Sequence, residues 1–160
     1  MKNWIKFFSI FLVLLAVVLT GAITIQAYMP FHKATEKAEK IVADEELLSK
    51  ITSSYVYSSK KSYVTVFGEN DRQQATAVFV NQDDLKAKKE QVVLSTGISK
   101  EKAIKVATEN QKVKKILHVK LGLETPGVVW EVSYRNDKDQ LNYVYVLFEN
   151  GQWWKKITNL

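Results

Sequence analysis

The sequence predicts an α+β chain: one N-terminal transmembrane helix, then two similar units, each a helix packed on an antiparallel sheet. Three observations predict it. Residues 7–27, FFSIFLVLLAVVLTGAITIQA, carry no charge. The rest of the chain sets helix-periodic stretches against short β-prone runs bounded by turn residues. That order, one helix followed by several strands, occurs over residues 28–94 and again over residues 95–160.

The apolar run holds 21 residues, and at about 1.5 Å of rise per residue such a helix spans roughly 30 Å, the hydrocarbon thickness of a bilayer. Trp4 and Tyr28 stand at its ends, where interfacial aromatics are favoured. Lys2 and Lys6 belong to a tail, residues 1–6, that the positive-inside tendency keeps in the cytoplasm, with the folded part outside. Lys33, Lys37 and Lys40 oppose that tendency, but a short tail ahead of a folded domain favours export of the domain. A cleaved signal peptide is the rival reading, with Ile25-Gln26-Ala27 as the cleavage signal. The apolar run of a signal peptide is shorter, about 7–15 residues, so a retained anchor is expected.

Pro30 can start or kink a helix. Ala34, Ala38, Ile41, Val42 and Leu48 recur at helical spacing among charges and predict a helix over Lys33–Lys50. Runs rich in tyrosine and valine predict strands at Thr52–Ser58, Tyr63–Phe67 and Ala75–Val80, with turns at Ser58–Lys61 and Gly68–Arg72. Residues 81–91 are charged and ambiguous, open to a short helix. Ser99 caps a second helix over Lys100–Asn110; Glu101 suits its dipole, and Ile98 and Ala103 can staple across the cap. Four more strands follow at Lys115–Leu121, Val128–Tyr134, Leu141–Phe148 and Gln152–Ile157. Pro126-Gly127, Asn136–Asp139 and Glu149–Gly151 are the turns between them.

The hairpins superpose at an offset of about 67 residues, with Tyr63–Phe67 over Trp130–Tyr134, Glu69-Asn70-Asp71 over Asn136-Asp137-Lys138 and Ala77–Val80 over Val144–Leu147. Val128, Trp130, Val132 and Tyr134 alternate with Val129, Glu131 and Ser133, which places Trp130 beneath the helix at Ser99–Asn110.

The net charge of +6 is carried almost wholly by lysine, since Arg72 and Arg135 are the only arginines. Residues 28–94 balance ten basic with ten acidic side chains, whereas residues 95–160 set eleven against seven. This excess suits a solvated surface or an anionic one, and the scarcity of arginine forks argues against nucleic acid. The chain has no cysteine, which excludes disulfides, thiolate metal sites and a lipid-modified cysteine.

At this point the residues resemble a known family. Gly97-Ile98-Ser99-Lys100-Glu101-Lys102-Ala103, Trp130-Glu131-Val132-Ser133-Tyr134 and Tyr145-Val146-Leu147-Phe148-Glu149-Asn150-Gly151 are similar to a PepSY-type repeat. With the N-terminal membrane helix and two repeats, the chain resembles the TseB-like (YpmB-type) proteins of Gram-positive bacteria over nearly its full length. The second repeat, 95–160, carries most of the likeness. The first, 28–94, is degenerate, with Tyr63 where the tryptophan falls and Asp83-Asp84 where the glycine turn falls. The resemblance implies a cystatin-like fold, a helix across a curved antiparallel sheet, occurring twice. It also implies a regulator of cell-wall elongation acting through a penicillin-binding protein. PepSY relatives imply an alternative, a peptidase-inhibitor-like module acting on an envelope protease.

The residues themselves point away from catalysis. His32 and His118, the only histidines, lie near no G-x-S-x-G or S-x-x-K pattern. Asp71, Asp137 and Asp139 sit in predicted turns, where aspartate serves the backbone. Asp83-Asp84 lacks the ligand spacing of a calcium loop, and no glycine-rich phosphate loop exists. No enzyme activity, cofactor, metal or small-molecule substrate is therefore expected; the expected partners are an envelope protein and, through residues 7–27, the lipid bilayer. The candidate protein-binding residues are Tyr143, Tyr145 and Trp154. Leu141–Phe148 is apolar on both faces, with Tyr143, Tyr145 and Leu147 on one and Val144, Val146 and Phe148 on the other. Trp153 aligns with Ile157 and is assigned to the core; Trp154 aligns with Gln152 and Lys156 and is assigned to the open face. The competing reading is that these aromatics fill a seam between the repeats.

Overall fold

The computed structural model describes residues 2–160. Met1, the start of the expected tail 1–6, lies outside the described residues, as do the side chains of Lys2 and Ala27. The chain divides after Ala34 into two compact units.

The first unit is the larger part of helix α1, Lys2–Asp44. From Trp4 to Ile25 every large apolar side chain is exposed, so this stretch is apolar all round and uncovered by the chain. A helix of that kind is long and apolar enough to cross a membrane. The hydroxyls of Thr20 and Thr24 donate at 2.7 Å to the carbonyls of Ala16 and Thr20, so both are paired within the helix itself. The helix expected separately at Lys33–Lys50 is not separate. Pro30 lies within α1, which forgoes one backbone bond there and continues to Asp44.

The second unit, Thr35–Leu160, contains two four-stranded antiparallel sheets. Strands β1 (Lys50–Ser58), β2 (Ser62–Glu69), β3 (Ala75–Asn81) and β4 (Glu90–Val93) form the first in chain order. The second follows the same order with β5 (Val113–Glu124), β6 (Gly127–Asn136), β7 (Leu141–Leu147) and β8 (Trp153–Ile157). The end of α1 covers one face of sheet 1. Ser54 donates to Glu39 at 2.6 Å, and Ser54 stands opposite Val66. Period-2 geometry then puts Val64, Val66, Val78 and Val80 on the same face, where all four are fully buried, as are Ala38 and Val42 of the helix.

Helix α2, Lys100–Ala107, lies on sheet 2. Ser99 caps it by accepting the Lys102 N–H, as its place before the periodic stretch predicts. Ala103 and Ala107 are small enough to bring the helix close to Trp130, Val132, Val144 and Val146. Trp130 is buried beneath it, and its indole nitrogen donates to the Ile98 carbonyl at 2.9 Å. Ala77 and Phe79 of sheet 1 belong to this same core, so the two sheets share apolar contacts.

The sheets also meet through polar groups. The Leu121 amide donates to the Tyr55 hydroxyl at 2.6 Å, and the Leu121 carbonyl accepts from Thr65 at 2.9 Å. Gly122 lets Tyr57 approach, since a Cβ there would lie 2.3 Å from the phenol ring.

Strand pairing corrects the repeat offset by one residue. Tyr63 pairs with Asn81 and Phe67 with Ala77, while Val129 pairs with Leu147 and Ser133 with Tyr143. The hairpins therefore superpose with Val64, not Tyr63, over Trp130. The turns agree: the Asn70 side chain accepts from the Arg72 and Gln74 amides and donates to the Gln74 side chain. Asn136 does the same with Lys138 and Gln140. Two smaller differences concern ends: α2 stops at Ala107 rather than Asn110, and the ambiguous residues 81–91 lead into β4 rather than a helix.

Candidate protein-binding face

Helix α2 covers one face of sheet 2; the other face is built on Glu131. Register places Glu131 between Lys120 and Tyr145, and Ser133 between His118 and Tyr143. Glu131 is buried and shares a 2.7 Å hydrogen bond with His118 Nε2. Tyr145 and Trp154 meet edge to face at 6.2 Å, and His118 and Tyr143 lie 6.1 Å apart. Lys155 sits 5.4 Å over the Tyr145 ring, a cation–π distance.

The structure thus brings Tyr143, Tyr145 and Trp154 onto one face. Tyr145 is buried, whereas Tyr143 and Trp154 are half-buried. Beside them, Tyr57 of sheet 1 packs over Gly122 and donates to Glu124 at 2.9 Å. Open patch and seam therefore divide by residue: Tyr145 borders the seam, while Tyr143 and Trp154 remain partly open to solvent.

The assignment of Trp153 to the core is corrected. Trp153 is 59% exposed. The β7–β8 pairing shifts between Tyr145 and Val146, so Trp153 and Ile157 do not share a face, yet Trp153 keeps the side assigned to it. Trp153 falls beside Val146 on the α2 side, but on an edge strand beyond the cover of the helix.

The electrostatics follow from burial around a single carboxylate. Burial, and next the Glu131 charge, push the Tyr57 and Tyr145 hydroxyls well above the usual phenol range. Burial also raises Tyr55, against the opposing hydrogen bond from the Leu121 main chain. Glu131, Lys120, Tyr55 and Tyr57 were not singled out by residue pattern. They come together through cross-strand register and sheet packing, which one strand's alternation does not encode.

Ser133, His118 and Glu131 have the residue types of a nucleophilic trio, but not its geometry. Ser133 is fully buried and its hydroxyl has no hydrogen-bond partner, so it is neither activated nor reachable. Among the described residues no three histidine, aspartate or glutamate side chains converge as a metal site requires. A polar cleft of about 390 Å³, lined by Glu46, Asn70, Arg72, Gln74, Gln91 and others, contains none of the aromatic residues above.

The chain is similar in sequence and in fold to known proteins. The chain matches the Cell wall elongation regulator TseB-like domain over residues 37–81. That match runs from the end of α1 through β3, in the half whose motifs depart furthest from the repeat pattern. A protein of Bacillus subtilis (strain 168) described as "Probable cell wall elongation regulator TseB" is 30% identical over 148 residues, covering 92% of this chain and 91% of that protein. The solved structure of the YpmB protein from Bacillus subtilis superposes with a TM-score of 0.69 at 31% identity, covering 77% of this chain and 95% of the other. Likeness in sequence over nearly the whole of both chains, joined to likeness in fold, places this chain in the TseB-like family of cell wall elongation regulators.

Proposed function

We propose that this chain is a non-catalytic, membrane-anchored module that binds a penicillin-binding protein and thereby regulates cell-wall elongation. Residues 1–6 lie in the cytoplasm, residues 7–27 cross the membrane, and the repeats 28–94 and 95–160 act together outside. The observation that carries the binding site is the partly open aromatic face. Tyr143 and Trp154 flank a buried Tyr145 on the side of sheet 2 that no helix covers. Aromatic side chains half out of water are common interface anchors, since they add contact area at little cost in conformational entropy. The description of the Bacillus subtilis relative as a probable cell wall elongation regulator supports action in wall elongation.

The test is recovery of partners from detergent-solubilised membranes, with penicillin-binding proteins detected by a fluorescent penicillin. The wild-type chain is expected to recover one. Tyr143→Ser with Trp154→Ser is expected to lose it while keeping the wild-type melt; Tyr145 is left in place because it borders the seam. Recovery of a protease instead would support the inhibitor-like alternative and overturn this one.

A further inference from the structure

Outside α1, three large apolar side chains are exposed among the described residues: Leu117, Trp153 and Leu160. Trp153 is the only aromatic of the three, and at 59% exposure it contrasts with Trp130 at 7%. It stands on β8, an edge strand, on the opposite side of sheet 2 from the aromatic face above. Its surroundings are cationic. Lys156, on the same side of the strand, holds its ammonium 5.0 Å from the indole centroid. Lys102 of α2 reaches the same rim: its Cε lies 3.9 Å from where a Cβ on Gly151 would stand, two residues before Trp153. Glu101, the acid next to Lys102, lies in the first turn of α2, where it suits the helix dipole. In Leu141–Leu160, Glu149 is the only acid.

These neighbours select the kind of ligand. A protein partner anchored on a tryptophan needs apolar surroundings that exclude water, and here the neighbours are lysines. A bilayer surface needs several apolar side chains side by side, and here there is one. A sugar ring needs one flat aromatic face for its C–H groups, and a phosphodiester needs ammonium groups beside it. We propose that Trp153, Lys156 and Lys102 form a platform for an anionic, phosphodiester-bearing glycopolymer, the indole stacking on a sugar while the two lysines pair with phosphates. The proposal rests on the reading that this unit lies outside the cytoplasm, where wall polymers occur.

The test uses the full chain in neutral detergent micelles, titrated with purified glucosylated glycerol-phosphate teichoic acid, which carries both sugar rings and phosphodiesters; it reads binding alone, so it is independent of membrane topology. Saturable binding that weakens with salt is expected. Trp153→Ala should weaken it by about tenfold or more, and Trp153→Phe should keep most of it, because a flat ring remains. Lys102→Ala with Lys156→Ala should weaken it severalfold and flatten the salt dependence. Tyr143→Ser with Trp154→Ser should leave it unchanged. Absence of binding by the wild-type chain, or equal binding by Trp153→Ala, overturns the proposal. So does equally tight binding of polyglutamate or of phosphatidylglycerol vesicles, which would mark an unselective cationic surface.

Discussion

Trp130 is held twice over, by its ring against α2 and by its nitrogen on the Ile98 carbonyl. Trp130→Ala removes both and leaves a cavity beneath the helix, so a loss of roughly 3–5 kcal/mol is expected. Chemical denaturation of the full chain in detergent measures it. Tyr55, Tyr57 and Tyr145 make a second prediction at this scale. Each has a folded-state pKa raised above the ordinary 10.0, so the fold favours the neutral phenol. Their stabilisation is intact below that pH and is lost as pH rises toward the folded values. Absorbance titration should therefore show these phenols ionising only as the unit opens. Glu131→Gln removes a charge that raises Tyr57 and Tyr145, and should move the onset to lower pH.

At the scale of elements, the two Asn-anchored turns offer a paired test. Asn70 and Asn136 each accept two backbone N–H groups of their own turn. Asn70→Ala and Asn136→Ala should each cost about 0.5–1.5 kcal/mol, and by similar amounts because the geometry repeats. Asparagine to aspartate, which keeps the acceptor, should cost less at either position. The same elements show how much of the structure was readable in advance. Strands with strict alternation, such as Val128–Tyr134, were legible to the face, and the serine before α2 marked its start. The end of α1 was less legible, because helical periodicity ran on to Leu48 after the backbone had turned at Glu46 with a positive φ of 52°. Strand β4 was hidden by the charged residues that precede it. The face of Trp153 was legible but its exposure was not, because that depends on how far α2 reaches over an edge strand, and the repeat offset was off by one because low identity leaves register to the hydrogen bonds. Of the candidate site, the three aromatics on one face were legible; the Glu131 cluster beneath them depends on neighbouring strands and on sheet 1.

For the whole molecule, the apolar part of α1 and the folded unit Thr35–Leu160 make a topological prediction. External protease added to protoplasts should degrade residues 28–160 while the membrane retains the helix. Protection of the folded unit would reverse the orientation, and release of a fragment beginning near Tyr28 would indicate cleavage.

The main chain of Leu121 lies on the free edge of sheet 2, yet its amide is bound by the Tyr55 hydroxyl and its carbonyl by Thr65, both on sheet 1. The protection of that amide from solvent hydrogen is therefore not set by the ladder of its own sheet. If the two sheets part while each stays intact, Leu121 exchanges early and the paired amides of β6 do not. One backbone position thus reports separation of the halves, distinct from unfolding of either, and would register a partner that pries them apart or clamps them together.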